Sequence, residues 1–145
     1  MTAFMPQQAA YQRAATRYSG DGVGTASPQR LVVLLYDRLA LDLTRAQQAQ
    51  LVGDRETAHT NLTHAQDIVA ELLSSLDLTG WDGAAGLSNL YSWLLAEMTR
   101  ANVRMEAQRT ADCLAVVEPL REARTQALAG AVAAPVPALA FGQTG

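Results

Sequence analysis

The side chains that could do chemistry in this sequence are few, and their spacing does not complete a catalytic site. The two histidines, His59 and His64, are five residues apart and would lie on different faces of a helix. Nucleophilic catalysis needs a base held beside a nucleophile, and neither histidine fits that role. Cys113 has no second cysteine for a disulfide or a zinc cluster. No catalytic residue is predicted, and the chain is not expected to be an enzyme.

Two short patterns resemble ligand-binding motifs. Glu56 and His59 have the Glu-x-x-His spacing of carboxylate-bridged di-metal bundles, but such a site needs the motif twice. Glu56 is better explained as a carboxylate in the first turn of a helix, where it favours the helix dipole. The glycines at 20, 22 and 24 lack the strand and the Lys of a phosphate loop. No metal or cofactor is predicted, and iron or manganese in the purified protein would revive the enzyme hypothesis.

Composition limits the class of protein. The chain has 145 residues, enough for one domain, and 49% are hydrophobic, so it can bury a core of its own. The longest apolar run, residues 31–36, is far shorter than the ~20 residues that cross a bilayer, and the N-terminus has no signal-peptide pattern. The net charge is −3 and the cations are spread along the chain, which argues against nucleic acid. A cytoplasmic protein without membrane insertion is expected.

Capping signals and a helical apolar period predict the elements that position these residues. Ser27 can cap a helix, Pro28 suits its first position and Gly53 suits its end, so a first helix is expected over residues 28–52. Asp54 can cap a second helix directly. That helix carries a strict apolar stripe: Ala58, Leu62, Ala65, Val69, Leu72 and Leu76.

Two further helices follow a loop predicted over residues 77–86. The third helix repeats the apolar stripe with Leu87, Leu90, Tyr91, Leu94, Met98, Ala101 and Met105. The fourth is expected over about residues 110–128, with one side formed by Cys113, Val117, Leu120 and Ala127. Pro119 predicts a kink or a fresh start inside it.

The predicted fold is all-α, an antiparallel up-down-up-down four-helix bundle, because helices of this length joined by short turns pack as neighbours. Residues 1–24 show no packing period and are predicted to be a flexible N-terminal arm. Residues 25–129 are predicted to form the helical bundle domain. Residues 130–145, broken by Pro135 and Pro137, are predicted to be a disordered Ala/Pro-rich tail.

The side of a helix that carries its core residues is called its core arc, and on the first helix this arc is predicted to consist of Leu31, Val32, Leu35, Tyr36, Leu39, Leu43 and Ala46. Some apolar side chains lie outside the core arcs. Leu34, Leu41 and Val52 form a second stripe on the first helix beside Arg38 and Arg45, and on the third helix Trp93 projects away from the core arc. Single exposed apolar residues are normal on a surface. The alternative is a groove for an apolar partner helix. Asp42 and Asn102 fall at or inside core arcs and are expected to be paired polar groups.

Several motifs occur in the order and spacing of a known family. The run from Val23 to Pro28 (Val-Gly-Thr25-Ala26-Ser27-Pro28) is followed by Leu35-Tyr36-Asp37, Gly53-Asp54, Leu90-Tyr91 and Ala101-Asn102. Over roughly residues 18–128 the chain resembles the flagellar secretion chaperone family FliS. It departs from the family pattern at Arg38, usually a small residue, at Arg124, usually Trp, and at Glu106, usually Asp.

The resemblance implies a cytosolic, non-enzymatic bundle that holds the disordered C-terminal segment of flagellin until export and so prevents early polymerisation. It also implies docking at the flagellar export gate, with Tyr18, or failing it Tyr11, covering the empty groove. The residues predicted to bind the partner are of two kinds. Tyr36, Leu90 and Tyr91 belong to the family motifs and lie on core arcs, whereas Leu34, Leu41 and Trp93 are the apolar residues outside those arcs.

One alternative from a different class remains. Trp81, Asp82 and Gly83 form the Trp-x-Gly of small helical substrates of the type VII secretion system. Those proteins are about two helices long, whereas this sequence predicts four, so a chance match in a glycine-rich loop is the better explanation.

Overall fold

Four helices follow one another in the structure, a computed structural model that describes residues 27–77 and 83–133. Their bounds are α1 Pro28–Leu51, α2 Arg55–Ser74, α3 Ala84–Arg104 and α4 Ala107–Ala133. No strand occurs in these two ranges. The predicted arm, the middle of the predicted loop and residues 134–145 lie outside the described residues. The all-α four-helix prediction is confirmed.

The start of α1 is capped as its sequence predicts. The Ser27 side chain accepts a hydrogen bond from the backbone N–H of Arg30 at 3.2 Å, and Pro28 occupies the first helical position. This arrangement satisfies one backbone donor that has no partner inside the helix, and proline has no donor to lose.

A three-residue turn ends α1 and starts α2. The N–H of Asp54 donates to the carbonyl of Ala49 at 2.8 Å and that of Gly53 to Gln50 at 3.2 Å, the paired bonds of a Schellman motif. Gly53 has a φ of 75°, which a side chain would disfavour. Asp54 accepts from the N–H of Thr57 at 3.1 Å, and hydrogen bonds from the side chain and the backbone of Thr57 lower the pKa of the Asp54 carboxyl. The chain therefore reverses at once and lays α2 against α1.

The helices form a closed ring around one core. α1 packs against α2 and α4, and α3 packs against the same two helices. The predicted stripe is buried along α2, from Ala58 to Leu72, whereas Leu76 lies two residues past the end of the helix and is half-buried. At one end of the core, Gln50 donates to the carbonyl of Ala101 at 3.0 Å and accepts from the hydroxyl of Thr110 at 2.6 Å. These buried bonds join α1, α3 and α4 at a fixed register.

The start of α3 differs from the prediction. It begins at Ala84, so the loop predicted through residue 86 is three residues too long at this end. Ala84 is fully buried, and its packing offsets the low helix propensity of Gly86 beside it.

α4 is longer than predicted at both ends and continues four residues past residue 129. It passes through Pro119 without a fresh start. Pro119 and Ala115 are both exposed, so water can bond the Ala115 carbonyl that the proline leaves without a donor. Ala127 is exposed, and the prediction that it belongs to the core side is wrong, because the last turns of α4 mix small and polar residues.

Candidate functional site

The exposed face of α1 carries the surplus apolar residues that the sequence indicated. We name the stripe of Leu34, Arg38, Leu41, Arg45 and Val52 the α1 surface. Leu41 is 39% exposed and Val52 is 79% exposed, whereas Leu34 is half-buried. Residues three or four apart on a helix are neighbours, so Arg38 lies directly between Leu34 and Leu41. The α1 surface is thus a mixed apolar and cationic strip.

Trp93 lies on α3 with 41% of its surface exposed. The residues that share its side of the helix, Asn89, Ala96 and Arg100, are also exposed. A large, half-exposed aromatic side chain of this kind is a typical anchor for a binding partner. Its predicted position outside the core is confirmed.

The α1 surface and Trp93 belong to helices on opposite corners of the ring. Each of these helices has α2 and α4 as its main neighbours. A partner that touches Leu41 and Trp93 at the same time must therefore cross the outside of α2 or α4. An extended or wrapping segment can do this, whereas a single straight helix docked in one groove cannot.

Tyr36 and Tyr91 do not lie on the surface. They are 1% and 2% exposed, and their hydroxyl oxygens are 2.5 Å apart. Leu90, beside Tyr91, is half-buried. The prediction that both tyrosines lie on core arcs is confirmed. In this structure they belong to the core, and neither has surface that a partner could contact.

Asp42 is fully buried beneath the α1 surface and has a partner for each oxygen. Its Oδ1 accepts from Nε of Arg38 at 3.0 Å, and its Oδ2 lies 2.5 Å from Nδ1 of His64 on α2. The prediction that Asp42 is a paired polar group is confirmed. The i,i+4 spacing to Arg38 could have indicated the first partner, but no signal in the sequence indicated His64.

Asn102 is paired as well. Its Nδ2 donates to Nδ1 of His59 at 3.0 Å, which links α3 to the first turns of α2. Arg55, Glu56 and Val103 complete a shallow depression around this pair. His59 and His64 thus face different helices, as their spacing predicts.

The other family-motif residues have structural roles where the structure describes them. Ser27 and Pro28 form the start of α1. Asp37 is exposed and accepts a hydrogen bond from Nη1 of Arg121 on α4 at 3.2 Å. Thr25 and Ala26, and both candidate arm tyrosines, Tyr11 and Tyr18, lie outside the described residues.

Two of the three departures from the family pattern lie on α4 or beside it. Arg124 is exposed and makes no ion pair with a described residue. Glu106 accepts from Nε of Arg109 at 2.5 Å, and the same guanidinium donates through Nη1 to Glu97 on α3 at 2.7 Å. Glu106 therefore contributes to the ion-pair cluster that joins α3 to α4.

The residues considered for chemistry are not assembled into a site. Glu56 and His59 are exposed, and the described residues contain no group of three potential metal ligands. Cys113 is fully buried, and burial raises the pKa of its thiol to about 12, which keeps it in the unreactive protonated form. Within residues 27–77 and 83–133, no helix combines the length and apolarity needed to span a bilayer.

Sequence reasoning missed two exposed apolar residues at the end of the bundle that holds the turn between α1 and α2. Leu51 is 68% exposed and Val103 is 73% exposed. Both lie within the last turn of a helix, where the apolar period alone does not reveal how far neighbouring helices extend.

Comparison with known proteins gives a consistent result. Residues 10–131 match the model of the family described as flagellar protein FliS. Over 119 residues the chain is 29% identical to a flagellar secretion chaperone FliS from Bacillus subtilis (strain 168), covering 82% of this chain and 89% of that protein. A protein of the same name from Vibrio cholerae serotype O1 is 27% identical over 105 residues, 72% of this chain and 77% of its own. These matches do not support the type VII alternative.

Proposed function

The chain belongs to the FliS family of flagellar secretion chaperones, and from this premise we propose that it binds the disordered C-terminal segment of flagellin in the cytoplasm. In this proposal the bound segment cannot polymerise early, and the complex delivers it to the flagellar export apparatus. The observation that carries the proposal is the family match across 122 of the 145 residues, joined to exposed apolar side chains on two helices.

Binding of a disordered client requires apolar surface on the chaperone. Ordering a disordered segment costs about 2–5 kcal/mol and is recovered by burying on the order of 1,000 Å² or more. Full burial of a large apolar side chain returns roughly 1.5–3 kcal/mol. Leu41 and Trp93 keep two fifths of their surface exposed, so each can return a part of that amount. Several such contacts together offset the ordering cost and still allow release at the export apparatus.

The separation of these two residues favours an extended client. Leu41 on α1 and Trp93 on α3 are reached together only by a chain that passes across α2 or α4. A disordered segment can follow such a path, because it adopts its conformation on binding. This geometry supports a flexible segment of flagellin as the client in preference to a folded domain.

The same proposal gives the N-terminal arm a role in covering the client surface. Tyr18, or failing it Tyr11, is expected to cover part of the client surface in the free chaperone and to leave it when flagellin binds. A side chain tethered by a short flexible linker competes at an effective concentration that can reach the millimolar range. Release of the arm on client binding would then free it for the export gate.

Co-purification tests the function directly. Tagged flagellin from the same organism should retain the chaperone, and flagellin truncated before its C-terminal segment should not. Retention of the chaperone by both flagellins would contradict the proposed segment. Retention by neither would contradict the proposed client.

A further inference from the structure

Arg38 on the α1 surface is held in place from below. Its Nε donates to Oδ1 of Asp42 at 3.0 Å, and the Asp42 side chain is fully buried. The Arg38 side chain is nevertheless 46% exposed. One edge of the guanidinium is therefore anchored in the protein while the group as a whole remains accessible.

The anchor is itself fixed by a neighbouring helix. Oδ2 of Asp42 lies 2.5 Å from Nδ1 of His64 on α2, so both carboxylate oxygens have a protein partner. Asp42 cannot turn toward solvent without breaking two contacts. Arg38 is for this reason more strictly oriented than a surface arginine that pairs with an exposed carboxylate.

The rest of the guanidinium is available for binding. Among the described residues, the two terminal nitrogens of Arg38 have no hydrogen-bond partner, which leaves four N–H donors in a planar fork. This geometry matches the two oxygens of a carboxylate. The entropy of ordering the side chain is already lost in the free protein, so a ligand gains more from the contact.

The charges on the α1 surface also favour an acidic ligand. Its charged members are Arg38 and Arg45, and Arg45 has no ion pair with a described residue. The exposed carboxylate of α1, Asp37, pairs with Arg121 on α4. A partner that covers Leu34 and Leu41 therefore meets the exposed guanidinium of Arg38 between them, whose charge the buried Asp42 partly offsets, and the cation of Arg45 beside them.

We propose that Arg38 binds a carboxylate of the client. The flagellar client segment would carry an aspartate or glutamate flanked by apolar residues, which contact Leu34 and Leu41 on either side of the guanidinium. This inference rests on the proposed chaperone function and adds the chemistry by which the α1 surface recognises its client.

Calorimetry with the flagellin C-terminal segment tests the inference through three variants. Arg38→Lys keeps the charge but removes the fork, and we expect it to weaken binding by about tenfold, as does Arg38→Gln. Arg45→Gln is the matched control, because it removes an unanchored cation from the same strip. We expect it to weaken binding by no more than about twofold, an effect that disappears at high salt.

Wild-type affinity in Arg38→Lys, or equal losses in Arg38→Gln and Arg45→Gln, would overturn the inference and leave the chaperone function intact. No binding of flagellin by the wild-type protein would overturn both. Thermal unfolding checks that each variant is folded, which matters most for the Arg38 variants because they change a partner of the buried Asp42.

A scan of the client needs no change in the chaperone. Replacing each Asp and Glu of the flagellin segment by its amide should reveal one position whose loss matches that of Arg38→Lys. Combining the two changes should then cost little more than either alone. Additive losses at every acidic position would overturn the inference.

Discussion

Tyr36 of α1 and Tyr91 of α3 bring their hydroxyl oxygens to 2.5 Å from each other in the centre of the bundle. The two helices lie at opposite corners of the ring, and each has α2 and α4 as its main neighbours. This hydrogen bond therefore ties together the two helices that carry the candidate partner surfaces. Because the two hydroxyl groups are paired with each other, both tyrosines can be buried in an otherwise apolar core.

We expect Tyr36→Phe and Tyr91→Phe each to lower the free energy of unfolding by about 1 kcal/mol, since each removes one partner of a buried hydrogen bond. The double variant should lose clearly less than the sum of the two single losses. Denaturant unfolding of the four proteins measures this coupling. Strict additivity would show that the hydroxyl pair contributes nothing of its own.

A substitution at Trp93 should affect client binding much more than the stability of the fold. Because Trp93 is 41% exposed, Trp93→Ala should weaken flagellin binding while changing the melting temperature little. Leu72, 4% exposed in the α2 stripe, is the control, and Leu72→Ala should cost about 2–5 kcal/mol of stability. Calorimetric binding and thermal unfolding report the two effects. A large drop in melting temperature with intact affinity for Trp93→Ala would assign this residue to the core.

Two glycines should respond oppositely to the same substitution. A Cβ would meet no atom within 4 Å at either Gly53 or Gly86, so packing does not decide the outcome. Gly53 has a φ of 75°, and Gly53→Ala should cost about 1–2 kcal/mol. Gly86 lies within α3, and Gly86→Ala should stabilise the protein by up to about 1 kcal/mol. Chemical denaturation measures both, and equal signs would contradict this explanation.

Ionisation of Glu97 should make part of the protein's stability depend on pH. Nη1 of Arg109 donates to its Oε1 at 2.7 Å and lowers the pKa of the carboxyl below its ordinary 4.5, and Arg100 adds to the effect. A depressed folded pKa means that the stabilisation is complete above about 4.5 and is lost as the pH falls through the folded value. Melting temperatures from pH 7 to pH 3 should therefore fall less steeply for Glu97→Gln than for the wild type.

The partner of Glu97 supplies the control for this pH effect. In an Arg109→Gln background the carboxyl has lost the main cause of its lowered pKa, so adding Glu97→Gln should change the pH profile little. The same flattening in both backgrounds would assign the acid sensitivity to another group.

Removal of the N-terminal arm tests its proposed place on the client surface. Deleting residues 1–20 should raise flagellin affinity modestly, because a tethered competitor is lost. Export of flagellin in cells should decrease. Calorimetry and the amount of flagellin outside the cells measure the two effects. Unchanged affinity, together with equal protease sensitivity of the arm in the free protein and the complex, would contradict the self-covering role.

The sequence by itself determined the helices where the signal is local. Ser27, Gly53 and Asp54 act on backbone groups within five residues, and the α2 stripe reflects only the helical period. These predictions agree with the structure, except that Leu76 lies past the end of α2, because the energies involved come from neighbours along the chain. The exposure of Leu41 and Trp93 was predictable in the same way, because each lies on the side of its helix away from the core residues.

Only the tertiary structure decided which side chains of different helices pair with each other. The pairing of Asp42 with His64 and that of Tyr36 with Tyr91 join residues 22 and 55 positions apart. No local period encodes such a partner. The start of α3 at Ala84, the passage of α4 through Pro119 and the anchored guanidinium of Arg38 depend likewise on packing and on which faces remain in water. These energies arise only when four helices have closed around one core, and that is where they override the preferences of single residues.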